Sequence, residues 1–327
     1  MASFRYRINQ WQARVRRKGF PDETKSFTTR QDAEKWARSI ESNMDKGLFV
    51  DASEAQRNTL RDLIKRYLIE VTPHMKGASD DTIRLKAIMR KPIAQWSMSN
   101  LSATRIATFR DDRLKEVSAG TVIRELAYLS AIINHARREW NINVPNPVQM
   151  VRKPQSPQAR ARILSDIEIS KLLHALEPVR RRNPWTKPSV QLALATAMRR
   201  GELLSLKWSD IDIHNQTAFL SNTKNGDSRL VPLSKAAIQI LNELPRHPSG
   251  FVLPVTAFTL DAAFKRGLTR SGLEDVRFHD LRRTSITMLA EKLPNVIELA
   301  AVSGHKSLMV LKRYYRPSAH SLAIKLG

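Results

Sequence analysis

Three polar clusters in the second half of a 327-residue chain carry the side-chain types that phosphate chemistry needs. They are Arg199-Arg200-Gly201-Glu202, His279-Asp280-Leu281-Arg282, and the stretch from Ser303-Gly304-His305 to Arg313-Tyr314-Tyr315. An arginine just beyond an apolar helix can be held by the core while its planar guanidinium meets two nonbridging phosphate oxygens. Arg199 fits that position, because it follows the mostly apolar run Gln191 to Met198. Glu202 either orients Arg199 or caps the helix that follows. Arg282 stands three positions after His279, so a helix there puts both on one face. A second guanidinium opposite Arg199 would clamp the same phosphate and stabilise charge on a pentacoordinate transition state. His279 can donate to a phosphate oxygen or assist proton transfer. Tyrosine, with a free pKa of about 10, is a poor nucleophile unless cationic neighbours or a base activate it. Tyr314, nine positions after His305, has such a setting if these clusters converge. Lys224, in the polar turn Lys224-Asn225-Gly226-Asp227, can reach a substrate and protonate a leaving deoxyribose oxygen. Together these residues suit attack by tyrosine on a phosphodiester.

Composition narrows the partner. Fifty-five Lys and Arg against thirty-one Asp and Glu leave a formal charge of +24, distributed along the whole chain. Such a field attracts a polyanion. An anionic membrane is disfavoured, since no apolar run approaches the roughly 18 residues of a spanning helix and no signal peptide opens the chain. With no cysteine there is neither a disulfide framework nor a thiolate metal site, and no histidine has a partner at zinc spacing. The expectation is an intracellular DNA or RNA partner, with no metal and no cofactor.

The elements that must position these residues fall into a multidomain, mainly α chain. Residues 3 to 28 alternate with period two between turn residues, which predicts a small antiparallel sheet. Thr29 and Asp32 then open a helix whose apolar stripe is Ala33, Trp36, Ala37 and Ile40. Arg5, Arg7, Arg14, Arg16, Arg17 and Lys18 meet phosphate or bases, or form the solvated face of that sheet. A helical unit over 57–145 begins with Leu60, Leu63, Ile64, Tyr67 and Leu68, and further helices are predicted over 80–90, 91–98, 102–114 and 119–140. Prolines at 145, 147, 154 and 157 place a linker at 146–160. The last unit, 161–327, is mixed α/β and mostly helical. It opens on a capping box, Ser165 with Glu168, and contains a hairpin around Phe219-Leu220 and Arg229 to Leu233. Its later helices are predicted over 234–244, 256–271, 279–292, 294–302 and 306–314.

The ordered set of motifs resembles the tyrosine recombinases of the phage-integrase family over essentially the full length. Ala195 to Leu203 is similar to the family's first arginine box, and Asn222-Thr223-Lys224-Asn225-Gly226 to the hairpin presenting its lysine. His279-Asp280-Leu281-Arg282-Arg283-Thr284 resembles the second box, and Ser303-Gly304-His305-Lys306-Ser307 the histidine segment before Arg313-Tyr314. The resemblance implies a catalytic set of Arg199, Lys224, His279, Arg282, His305 and Tyr314, with Glu202 in support. Arg200 and Arg283 join the amino-terminal basic residues as DNA contacts. It further implies a small arm-site-binding domain over 1–50, a core-DNA-binding domain over 57–145 and a catalytic domain over 161–327. The implied reaction is site-specific recombination of double-stranded DNA through a 3'-phosphotyrosine, without ATP or a divalent metal. A homo-tetramer on two duplexes would perform it, with DNA-bending proteins as candidate accessories. The setting would be the cytoplasm of a bacterial host, associated with its nucleoid, during integration or excision of a phage or other mobile element.

Three departures carry expectations of their own. Ala197 replaces a common glycine, which helical dihedrals there would tolerate. Ser303 replaces a frequent leucine, weakening one packing position without touching chemistry. Tyr315 adjoins Tyr314, and the spacing from His305 favours Tyr314 as nucleophile. The other readings are a DNA-binding accessory protein that retains the fold without turnover, and a topoisomerase-like enzyme acting on a single duplex. Whether Tyr314 serves its own active site or a neighbour's, and where the tail with Leu322, Ile324 and Leu326 packs, is open at this level.

Overall fold

The computed structural model describes residues 2–47, 53–158, 160–179, 182–221, 228–312 and 314, with 323, 324 and 326 near the carboxyl end. It divides into two compact units, Met1–Gln158 and Ala159–Gly327. None of the described helices is long and apolar enough to cross a membrane.

The first unit opens with strands β1 (Ala2–Arg7), β2 (Gln10–Val15) and β3 (Glu23–Phe27), antiparallel in that order. Ile8 and Asn9 join β1 to β2 with φ of 47° and 56°, the left-handed pair a two-residue hairpin turn requires. Alternation puts Ala13 and Val15 on the covered face. There Val15 clusters with Ala37 and Met44 of helix α1 (Arg30–Asp45). Thr29 caps α1 by accepting from the Asp32 N–H at 3.2 Å, as its sequence predicts.

Helices α2 (Ser53–Arg57), α3 (Leu60–Glu70), α4 (Ala78–Met89), α5 (Ala103–Glu116) and α6 (Ala119–Glu139) build the second core of this unit. Its largest fully buried residues include Leu60, Ile64, Leu85, Ile106, Leu126 and Ile133 at helical spacing. Arg113 and Glu125 form a buried bidentate pair at 2.7 and 2.8 Å between α5 and α6. The helix predicted over 91–98 is two short 3₁₀ turns instead, Pro92–Gln95 and Met98–Asn100. Trp96 and Ser97 lie between them in extended conformation, and the Trp96 carbonyl accepts from the Leu60 N–H. Between 145 and 158, Pro147–Met150 forms another 3₁₀ turn, with Val148 and Val151 buried in the helical core.

The second unit starts at α7 (Asp166–Ala175), where Ser165 and Glu168 form the predicted capping box. Helix α8 (Thr186–Thr196) leads through Ala197 to α9 (Arg200–Ser205). A three-stranded antiparallel sheet follows, β4 (Ile211–Asp212), β5 (Thr217–Leu220) and β6 (Arg229–Pro232) in that order, so the predicted hairpin gains a third strand. Pro232 is tolerated because β6 is an edge strand. Helices α10 (Lys235–Glu243), α11 (Ala257–Ser271), α12 (Phe278–Lys292), α13 (Val296–Ser303) and α14 (Leu308–Leu311) complete the described elements. The helix predicted over 306–314 is thus confined to one turn. Helix α12 packs on α8, and α11 on α7. A smaller cluster of Ala197, Ile286, Ala290, Leu299 and Leu311, with Tyr314 against it, ties the chain end to α12 and α13.

Candidate active site

Three arginines from three elements end on consecutive carbonyls at the carboxyl end of α13. Arg229 Nη1 donates to Val302 O at 2.8 Å, Arg282 Nη2 to Ser303 O at 2.7 Å, and Arg199 Nη2 to Gly304 O at 3.1 Å. A helix leaves its last carbonyls without intrahelical partners and carries partial negative charge there, so cations are favoured. The chain can expose these carbonyls because Gly304 ends α13 in left-handed backbone, φ +66°. Gly304 is also required for space, since a Cβ there would stand 2.6 Å from Arg229 Nε. Arg282, on the buried face of α12, is also bonded to Ala197 O through Nη1. That carbonyl is presented by a residue at φ 53°, ψ 20°, left-handed and not helical as expected. An alanine held so is disfavoured by about 1 to 2 kcal/mol relative to right-handed backbone. Position 197 therefore keeps the conformation for which glycine is suited, and aims its carbonyl at Arg282.

Glu202 binds two of the three guanidiniums. Its Oε1 accepts from Arg199 Nη1 at 2.6 Å and its Oε2 from Arg229 Nη2 at 3.0 Å. Oε2 also accepts from the Arg199 backbone N–H at 2.9 Å, so Glu202 both orients Arg199 and caps α9. Burial works to raise this carboxyl, but the Arg199 N–H and the Arg229 and Arg199 guanidiniums outweigh it and hold the group below the usual glutamate range. One carboxylate among three guanidiniums leaves the cluster cationic. Burial, then Arg199, push the Arg282 guanidinium down to about 10, still charged at neutral pH. A guanidinium has five N–H donors. Arg199 and Arg282 each spend two of them on the bonds just described, which leaves donors for an oxyanion.

Two histidines and a tyrosine border the arginines. Burial, reinforced by Arg282, lowers His279 from its ordinary value. His305 is pushed down to about 4 by burial and then by Arg282, Arg199 and Arg229, so its imidazole is neutral in the free protein. Its ring lies 6.1 Å from that of Tyr314, centroid to centroid, at 46°. His305 Nδ1 is 2.8 Å from Ser303 Oγ, which itself donates to Leu299 O at 2.6 Å. Ser303 is fully buried, so the expectation that it touches only packing fails: its hydroxyl is bonded to one site residue and its carbonyl to another. A cavity of about 1160 Å³ opens beside this cluster, lined by Arg199, Arg200, Lys265, Arg277 and His279 among others.

The Phage integrase family model matches residues 162–320, and the model of the phage integrase N-terminal domain matches 56–154. A Haemophilus influenzae protein described as an integrase/recombinase is 36% identical over 94% of this chain and 85% of its own length. The chain belongs to the phage integrase family. A shufflon-specific DNA recombinase of Escherichia coli is 39% identical over 83% of this chain and 72% of that protein. Among solved structures, a lambda integrase tetramer bound to a Holliday junction is similar with a TM-score of 0.66 at 22% identity, covering 94% of this chain and 93% of that one. This last likeness is one of fold. Membership makes the chain a tyrosine-type site-specific DNA recombinase.

Of the residues that the integrase resemblance singles out, the structure brings Arg199, Glu202, His279, Arg282, His305 and Tyr314 into this one region. Lys224 and Tyr315 lie outside the described residues. Arg200 is paired with Asp261. Arg283 donates to the Arg160 carbonyl and sits 3.7 Å from Asp280, which Arg160 also holds, at 2.9 Å. Near the amino terminus Arg14 and Arg16 share Asp22, at 2.7 and 2.8 Å, and Arg17 pairs with Asp45; all three are exposed, as are Arg5, Arg7 and Lys18. Sequence reading missed Arg229 and Ser303 as site residues. For Arg229 a signal existed, because strand alternation sets it on the same face as buried Val231. For Ser303 the signal was a hydroxyl four residues after Leu299 at a helix end, where it bonds back to the preceding turn.

Proposed function

We propose that this recombinase cuts and rejoins DNA with Tyr314 as nucleophile, in integration or excision of a phage or other mobile element. Tyr314 Oη gives its proton to a bordering imidazole and attacks the scissile phosphorus, the bond to the 5'-oxygen breaks, and a 3'-phosphotyrosine forms. Arg199 and Arg282 hold the nonbridging oxygens with the donors not engaged by Glu202 or the carbonyls, and stabilise charge on the pentacoordinate transition state. His279 donates to the same phosphate or assists proton transfer, and Lys224 protonates the departing 5'-oxygen. The 5'-hydroxyl of another strand then attacks the phosphotyrosine and restores Tyr314. One phosphoester replaces another, so the scheme consumes no ATP. The observation that carries this reading is the convergence of Arg199, Arg229 and Arg282 on the end of α13, beside His305 and Tyr314.

In this reading residues 57–145 grip core DNA, 161–327 perform catalysis, and the amino-terminal sheet and helix bind a separate arm site through their basic face. The working assembly is a tetramer on two duplexes, as the lambda integrase tetramer on a Holliday junction suggests. DNA-bending proteins assist it, and the protein acts in the bacterial cytoplasm on nucleoid DNA. Incubation with a nicked suicide duplex tests the chemistry: a covalent protein–DNA adduct attached through a 3'-phosphate is expected. Absence of an adduct, with DNA binding intact, favours an accessory protein that has lost turnover. Relaxation of one supercoiled duplex without joining of two sites favours a topoisomerase-like enzyme.

A further inference from the structure

We infer that Ser303 is a positioning residue that fixes His305 as its Nδ1–H tautomer, so that Nε2 is the ring nitrogen left to the reacting groups. The inference rests on the active site proposed above. Ser303 Oγ has one proton and two neighbours, Leu299 O at 2.6 Å and His305 Nδ1 at 2.8 Å. A carbonyl oxygen only accepts, so at 2.6 Å the hydroxyl proton must point to Leu299 O. The Ser303 oxygen is then the acceptor for the ring, and Nδ1 must carry the hydrogen. In a neutral imidazole one nitrogen donates and the other accepts, so Nε2 holds a lone pair.

The surroundings reinforce the assignment. Ser303 is fully buried at the last position of α13. Its carbonyl is held by Arg282 Nη2 at 2.7 Å, which fixes the backbone from which the hydroxyl projects. Burial first, and then Arg282, Arg199 and Arg229, keep the ring neutral before DNA arrives. His305 thus enters the reaction as an acceptor at Nε2. It can donate from that nitrogen only after taking up a proton. Leucine or alanine at 303 would leave Nδ1 unpaired and free the ring to adopt the Nε2–H form.

The test is selective ¹⁵N labelling of the eight histidines of the 327-residue chain, with His305 assigned through a His305→Gln variant. Wild type and Ser303→Thr, which keeps the hydroxyl, should show Nδ1 protonated and Nε2 bare. Ser303→Ala should populate Nε2–H and slow covalent-adduct formation by about 100-fold, the lower end of what a positioned proton-transfer group contributes. Binding of the same duplex should be unchanged, and Ser303→Thr should recover most of the rate. A wild-type spectrum with Nε2 protonated overturns the inference, as does an Ser303→Ala protein with unaltered tautomer and rate. Because the tautomer is read without DNA, a wild type that forms no adduct counts against the proposed function and leaves the tautomer result to decide this inference alone.

Discussion

Arg199 and Arg282 donate to neighbouring carbonyls, Gly304 O at 3.1 Å and Ser303 O at 2.7 Å, so one helix end sets the spacing of two guanidiniums. Residues 83 positions apart in sequence are thereby held to a common register by a third element. Their placement depends on α13 as much as on their own helices.

Replacement of Arg282 by lysine tests the fork geometry. Lysine keeps the charge but cannot bridge Ala197 O and Ser303 O while still facing a phosphate. Adduct formation should fall by about 100-fold or more, the usual loss when a transition-state donor is removed. Affinity for nonspecific duplex, measured by titration at fixed salt, should change little, since many other basic residues remain.

Gly304→Ala should destabilise the protein by about 1 to 3 kcal/mol in urea denaturation, from left-handed backbone and the collision with Arg229. Combining it with Arg229→Ala removes the collision and leaves the backbone effect. The double variant should therefore lose less stability than the sum of the two single ones.

Glu202→Gln should be less stable than wild type at neutral pH by about 1 to 3 kcal/mol, because two partly buried guanidiniums lose their counter-charge. The folded carboxyl titrates below its ordinary value of 4.5, so its contribution is complete above that value and is lost as pH falls through the lower folded one. Denaturation curves taken at neutral pH and at progressively lower pH should accordingly converge for the two proteins once Glu202 is protonated in the folded state.

His305 works in the same direction through a different group. Its folded value of about 4 lies below the ordinary 6.5, so the unfolded chain binds a proton that the folded one refuses. The His305 contribution alone should lower stability as pH drops from about 6.5 toward 4, and add nothing further below that window. His279, also lowered, adds to the slope. A His305→Gln protein should show a shallower dependence of melting temperature on pH across that range.

The candidate catalytic residue types were legible because phosphate chemistry restricts them and because helix and turn signals place each one locally. Arg199 after an apolar helix and His279 three before Arg282 need only local periodicity to be understood. What binds them together was not legible. Arg229 acquires its role from Glu202 and the Val302 carbonyl, and its room from Gly304, all distant in sequence. The left-handed turn at Ala197 runs against the alanine's own preference and is imposed by its buried setting among Ile286 and Leu299. The stretch 91–98 has helical spacing, but Pro92 starts only a short turn there, and Trp96 is drawn into a bond with Leu60. In each case tertiary contact overrode the local pattern.

The central claim is that Tyr314 becomes covalently joined to DNA. Adduct formation on a suicide duplex, compared between Tyr314→Phe and Tyr315→Phe, tests it most directly. The proposed mechanism predicts no adduct with Tyr314→Phe and a wild-type-like adduct with Tyr315→Phe. An adduct that survives Tyr314→Phe and vanishes with Tyr315→Phe would contradict it.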